Sequence, residues 1–172
     1  APALWGPLTV PSEKIPAPLT FRAASPEAAA AASIAALEEA ILRIGAEQVL
    51  AFVMEPIGGQ ASGANVPHAS FARGVRRACD RYGVRLVFDE VVTAFRTGRF
   101  LAAHHDPEAR PDVVVLAKGL GAGYAPLGAF LAPAALVDPL TESTGFAVSH
   151  SYDANPIACA AGSAVLDEVV DR

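Results

Sequence analysis

The segment 111–129, PDVVVLAKGLGAGYAPLGA, sets one lysine between a run of β-branched and aliphatic residues and a glycine-rich turn. The run Val113, Val114, Val115, Leu116, Ala117 shows no polar alternation, so it reads as a strand buried on both faces, the mark of a parallel sheet. In such sheets ligands bind in the crevice outside the carboxyl ends of the strands, and Lys118 stands at that exit. The chain has only two lysines, Lys14 and Lys118, and its other cationic side chains are arginines. An ammonium can give up its proton where a guanidinium cannot, so a lysine at this place points to amine chemistry.

Composition narrows the class. With 172 residues, 52% of them hydrophobic and 18% charged, the sequence reads as one folded domain with a substantial core. The formal net charge of −5, with no cluster of Lys or Arg, gives no footprint for nucleic acid or another polyanion. Cys79 and Cys159 lie far apart and suggest neither a metal site nor a disulfide framework, which points to a reducing, cytoplasmic setting. No apolar run reaches the length of a membrane span. The Ala-rich stretch 28–36 runs into Glu38 and Glu39, unlike a secretory leader. The chain starts without methionine and stops at Arg172 inside a helical pattern with no capping glycine, so it reads as part of a longer polypeptide.

Residues 1–24 carry Pro2, Pro7, Pro11, Pro16 and Pro18 and no sustained period, and are expected to form an extended surface connector. Ser25, Pro26 and Glu27 make a helix start, and Gly45 closes the pattern. Residues 48–54 (QVLAFVM) predict a strand, 67–82 a helix stopped by Gly83, 85–88 (RLVF) a strand, and 113–117 a strand reached by a short crossover. A further strand is expected over 128–131 and a last helix over 156–170. This alternation is βαβ logic, with right-handed crossovers expected. The expected fold is α/β, a three-layer, mostly parallel sheet with helices on both faces.

Three polar side chains follow three strands directly: Glu55 after QVLAFVM, Asp89 after RLVF, and Lys118 after VVVLA. A parallel sheet brings all three to one carboxyl edge, where carboxylate and amine shift each other's pKa values and can run an acid-base cycle. A structural ion pair between Asp89 and Lys118 is the plainer alternative at this stage. Apolar residues followed by Asp89 and Glu90 also resemble the metal-binding strand of P-loop nucleotide hydrolases. However, neither lysine is preceded by glycine or followed by Ser or Thr, as the phosphate-cradling loop of those proteins requires.

The segments FDEVVTAFRTGRF (88–100), PDVVVLAKGLGAGYAPLGA (111–129) and HSYDANPIACAA (150–161), with EPIGG at Glu55, together resemble the class-III pyridoxal-phosphate-dependent aminotransferases. The likeness covers residues 49–172, in the family's order. It implies fold type I, with residues 25–172 part of the large cofactor-binding domain. Lys118 matches the lysine that forms a Schiff base with the cofactor aldehyde and then carries the proton. Asp89 matches the aspartate that pairs with the pyridine nitrogen and keeps the ring an electron sink. Val91 matches a residue packed on the ring face, although a plain core valine would be equally buried. Ser151, five residues before Pro156, stands where the family has a hydroxyl for the phosphate bound by the neighbouring subunit, although a loop serine before a helix would look the same. Among the cofactor-binding candidates, Glu55 matches a glutamate common in the family whose task varies, and Glu90 is expected to orient the loop or the cofactor's surroundings, with a solvated strand-end acid as the plainer reading.

Other residues of these segments have plainer readings. Val92 departs from the glutamine often found there, and residues 93–98 are a shorter form of a loop usually written with two glycines. Arg96 could face substrate or solvent, and solvent or a structural partner is the expected reading. His104 and His105 are adjacent, which points them apart and suits the surface better than a metal. His150 and Asn155 are expected to shape the turn into the last helix. The family's upstream phosphate loop and ring-stacking aromatic would precede Ala1, and its small domain would follow Arg172.

The resemblance implies transfer of an amino group from an amine or amino acid to a 2-oxo acid or aldehyde, with pyridoxal 5'-phosphate as cofactor and a homodimer as the working form. The same cofactor chemistry would also serve an aminomutase, racemase or decarboxylase. An inert fragment or degenerate binding module is the non-enzymatic alternative.

Overall fold

The computed structural model describes residues 10–21, 23–145 and 149–170. The first nine residues of the expected connector and Arg22 lie outside the described residues. Residues 10–21 contain no helix or strand. They are tied to the body where Ser33 Oγ donates to the Pro16 carbonyl at 2.9 Å and Asn65 Nδ2 donates to the Pro18 carbonyl at 3.1 Å.

Helix α1, Pro26–Ile44, starts as its sequence dictates: the Ser25 hydroxyl accepts from Ala28 N at 3.1 Å and Pro26 fills the first turn, where its missing N–H costs nothing. Helix α2, Ser70–Tyr82, begins three residues later than expected, because residues 67–69 precede the first helical turn and His68 instead contacts Ser70. Its face of Phe71, Val75, Ala78 and Cys79 is buried, at the helical spacing that makes one apolar stripe. The two helices pack closely at Gly74, where an added β-carbon would lie 2.2 Å from Ile34 Cδ1.

Strands β1 (Ala51–Met54), β2 (Arg85–Asp89), β3 (Val113–Leu116) and β4 (Ala129–Leu131) form one sheet in that order. The first two pairings are parallel and β3–β4 is antiparallel. The strand expected over 48–54 is shorter, since Ala46–Gln48 forms a 3₁₀ turn that uses up its start. The connection from β2 to β3 contains no α-helix; it runs through 3₁₀ turns at Ala102–His105 and Pro107–Ala109. Helix α3, Ala134–Thr144, was not foreseen from sequence, because Pro139 inside it reads as a breaker. Helix α4, Pro156–Val170, lies where expected.

The core lies on one face of the sheet. Met54, Leu86, Phe88, Val114 and Leu116 join Leu37 and Ile41 of α1 and Phe71, Val75 and Cys79 of α2 in a single cluster. The opposite face carries Val53, Val87, Val113, Val115 and Phe130, of which Val53 is 60% and Phe130 62% exposed. Strand β3 therefore alternates, with Val114 and Leu116 buried and Val113 and Val115 half-buried, where burial on both sides had been expected. A uniformly apolar run permits two-sided burial, but the neighbouring elements decide it, and α1 and α2 cover only one face.

Candidate active site

The register fixes what meets at the carboxyl edge. Met54 pairs with Phe88, Phe88 with Val114, and Asp89 with Val115. Glu55 follows β1, Asp89 ends β2, and Lys118 lies three residues past the register partner of Asp89. The three parallel strands thus release all three side chains at one edge, as the strand-end placement implied.

Asp89 is half-buried on the more open face of the sheet, and its Oδ1 accepts from Val91 N at 3.0 Å. Its Oδ2 has no hydrogen-bond donor among the described residues. Lys118 is exposed and forms no ion pair among the described residues, so the structural pair with Asp89 considered above is not made. The lysine opens the 3₁₀ turn Lys118–Gly121 with φ of 43°, a left-handed conformation that residues with a β-carbon rarely adopt. Gly119 permits that turn to sit down on the loop after β2. A β-carbon there would lie 2.9 Å from Phe95 Cδ2 and 3.2 Å from both the Ala94 carbonyl oxygen and Arg96 Nη1.

Glu90 differs sharply from its neighbour. It is 0% exposed, so it is no solvated strand-end acid. Its Oε2 accepts from Thr93 Oγ1 at 2.8 Å and Ala102 N at 2.7 Å, and its Oε1 accepts from Ala103 N at 2.8 Å. Its own N–H donates to the Val115 carbonyl at 2.9 Å, and its carbonyl accepts from Ala94 N at 3.0 Å. Sequence reasoning weighs this residue as an orienter of the loop against a solvated acid, and does not name its partners. The only available signal was an acid placed after β2 with Thr93 three residues on, a spacing that suits a local side-chain bond.

The remaining candidates are placed as follows. Val91 and Val92 are half-buried, and the Val92 carbonyl accepts from Arg96 Nη1 at 3.0 Å, so Arg96 has the local structural partner expected of it. Glu55 is exposed and its Oε2 accepts from Gly59 N at 2.5 Å. Ser151 is exposed in the turn before α4, and its hydroxyl has no partner among the described residues. Helix α4 packs on the Lys118–Gly121 turn, which brings the segment from Ser151 onward toward the same region. Asn155 Oδ1 caps α4 by accepting from Ile157 N and Ala158 N, each at 3.1 Å, and His150 N donates to Asp153 Oδ2 at 2.7 Å, so both shape that turn. His104 and His105 are exposed, with His105 Nε2 at 2.9 Å from the Thr97 carbonyl oxygen.

The edge thus holds an amine with no ionic partner and a carboxylate with one oxygen free, among the described residues. A family model described as aminotransferase class-III matches residues 2–172. The adenosylmethionine-8-amino-7-oxononanoate aminotransferase of Geobacter sulfurreducens is 35% identical over 95% of this chain and 38% of its own length. A putrescine aminotransferase of Pectobacterium atrosepticum is 38% identical over 73% of this chain and 26% of its own. Among solved structures, an amine transaminase from an uncultivated Pseudomonas species in its PLP-bound form aligns with a TM-score of 0.84 and 38% identity, over 91% of this chain and 37% of that one. An (S)-enantioselective omega-transaminase from Thermomicrobium roseum aligns with a TM-score of 0.87 and 31% identity, over 99% and 40%. The chain therefore spans well under half the length of these relatives.

Proposed function

Because this chain belongs to the class-III aminotransferase family, we propose that it carries the lysine-bearing edge of a pyridoxal-phosphate site, in a protein that moves an amino group from an amine or amino acid to a 2-oxo acid or aldehyde. The observation that carries the reading is the unpaired Lys118 ammonium, held at the strand edge that also presents Asp89 with one free carboxylate oxygen. When bound, the cofactor supplies an aldehyde that takes up an amine and a ring that withdraws electrons from the adjoining carbon.

The residues divide the remaining work. Lys118 Nζ would hold the cofactor through its amine and, when free, would take up and return the substrate proton. With no carboxylate partner among the described residues, its amine is open to a ligand. Asp89 would keep a proton on the ring nitrogen through its free Oδ2, with Val91 N holding the carboxylate by Oδ1. Val91 offers the ring a flat apolar contact. Ser151 offers its unpartnered hydroxyl to a phosphate, in a homodimer whose sites are shared between subunits. Glu55 follows β1 at the same strand edge, where its carboxylate accepts from Gly59 N. The exposed, free Cys159 suits a reducing, cytoplasmic setting.

The test is made on the full-length protein carrying this chain. With cofactor added, borohydride reduction is expected to attach the pyridoxyl group covalently, and Lys118→Ala is expected to abolish both attachment and amino transfer. Amino transfer that survives in Lys118→Ala would refute the assignment.

A further inference from the structure

We propose that Glu90 is a positioning residue, which fixes the lysine turn against the strand that carries Asp89. Glu90 belongs to both halves of the site through separate bonds. Its N–H joins β2 to β3 at Val115, one residue past the Asp89 pairing and three before Lys118. Its carboxylate gathers Thr93 from the loop after β2 and the N–H groups of Ala102 and Ala103 from where that loop returns. Three donors on a fully buried carboxylate close the loop 90–103 into a rigid unit, because leaving any one of them without an acceptor is costly in a dry interior.

That unit is the floor beneath the lysine. Ala94, whose N–H is held by the Glu90 carbonyl, and Phe95 lie against Gly119, with room for no side-chain carbon between them. Phe95 adopts φ of 66°, its N–H donates to the Phe100 carbonyl at 3.0 Å, and its ring meets that of Phe100 edge-on at 4.9 Å. A left-handed phenylalanine persists only when its surroundings over-determine it, and the Glu90 clamp supplies that determination. Displacing the loop moves Gly119 and with it Lys118, while Asp89 stays on its strand. Glu90 acts on the chemistry through this spacing without touching cofactor or substrate.

The inference rests on the roles given above to Lys118 and Asp89, and the experiment separates the two failures. Glu90→Gln is made in the full-length holoenzyme. It keeps the packing volume but turns one acceptor into an N–H₂ group facing a donor. The expected result is a fall in kcat of about 10- to 100-fold, the size of effect that a misplacement of about 1 Å produces. The KM for the amino donor and the bound cofactor are expected to hold, and the pH midpoint of the cofactor–lysine absorbance to move by about half a unit or more. If Glu90→Gln does not accumulate folded, Thr93→Val, which removes one of the three donors, is measured the same way, with a loss of about three- to tenfold expected. Wild-type turnover per bound cofactor and an unmoved midpoint in the folded variant, at whatever cost in stability, would overturn the inference. Absence of borohydride attachment at Lys118 in the wild type would instead bring down the functional reading beneath it.

Discussion

The two ends of the parallel strands treat their charges in opposite ways. At the amino end, Asp112 is fully engaged: Oδ2 accepts from Leu86 N at 2.7 Å and Arg76 Nη1 at 2.9 Å, and Oδ1 lies 3.6 Å from Arg85. Arg76 in turn meets Asp80 at 2.7 Å. At the carboxyl end, Asp89 accepts from one backbone N–H and Lys118 has no ionic partner among the described residues. The acid at the amino end is paired, while the acid and the lysine at the carboxyl end are left open, as the proposed ligand role of Asp89 and Lys118 requires. Glu90 shows that this chain can also satisfy a buried acid completely at the carboxyl end, so the open valences of its neighbour are not an accident of the edge.

Substitutions at the two ends should therefore fail differently. Asp89→Asn in the full-length protein is expected to lower kcat by about 10²- to 10³-fold, the usual loss of one preorganised electrostatic partner, with little change in thermal stability. A loss of stability without a loss of turnover would place Asp89 among the structural acids. Asp112→Ala should do the reverse. It strands the largely buried Arg76 and the Leu86 N–H and is expected to cost about 3 kcal/mol in denaturant unfolding, with turnover per folded molecule preserved.

The pH dependence sharpens the contrast at Asp112. Burial works against its ionisation, but the Leu86 N–H and the guanidinium groups of Arg76 and Arg85 outweigh it and hold the carboxyl below its ordinary value of 3.8. A carboxyl with a depressed folded pKa contributes stability that is complete above its unfolded value and is lost as pH falls through the folded one. The stability gap between wild type and Asp112→Asn should accordingly be constant from about pH 5 to 8 and shrink below about pH 4. A gap that widens in acid would contradict the pairing.

The smallest effect concerns Cys79, whose thiol lies beside this network and is pushed up to about 11, chiefly by burial. Thiol reagents at pH 8 are expected to label the exposed Cys159 at least about 100-fold faster than Cys79, and Asp112→Ala should speed Cys79 labelling by loosening the amino end. Equal labelling of both cysteines in the wild type would mean that the amino end is not closed.

Much of the carboxyl edge was legible in the sequence, because strand ends are marked by composition: VVVLA before Lys118 and RLVF before Asp89 announce where the strands stop. Helices α1 and α4 were equally plain, the first through Ser25, Pro26 and Gly45. What stayed hidden depends on partners distant in sequence. Residue type alone does not say that Glu90 reaches residues 12 and 13 positions away, or that Asp112 reaches back to Leu86, 26 positions earlier. The one-sided burial of β3 was hidden for the same reason, since a valine run looks alike whether one face or two are covered. The left-handed conformations fall on Phe95 and Lys118 themselves and not on a neighbouring glycine, so residue type did not mark them. Helix α3 was masked by Pro139, which a helix on the surface accommodates at the loss of one backbone bond.

The open charges at the carboxyl edge are tested most directly by where the cofactor attaches. The full-length protein is incubated with pyridoxal phosphate, reduced with borohydride, digested, and its peptides are sequenced by mass spectrometry. The pyridoxyl group is expected on Lys118 and on no other lysine, Lys14 included. Attachment elsewhere, or amino transfer by a protein that carries no label at Lys118, would contradict the account.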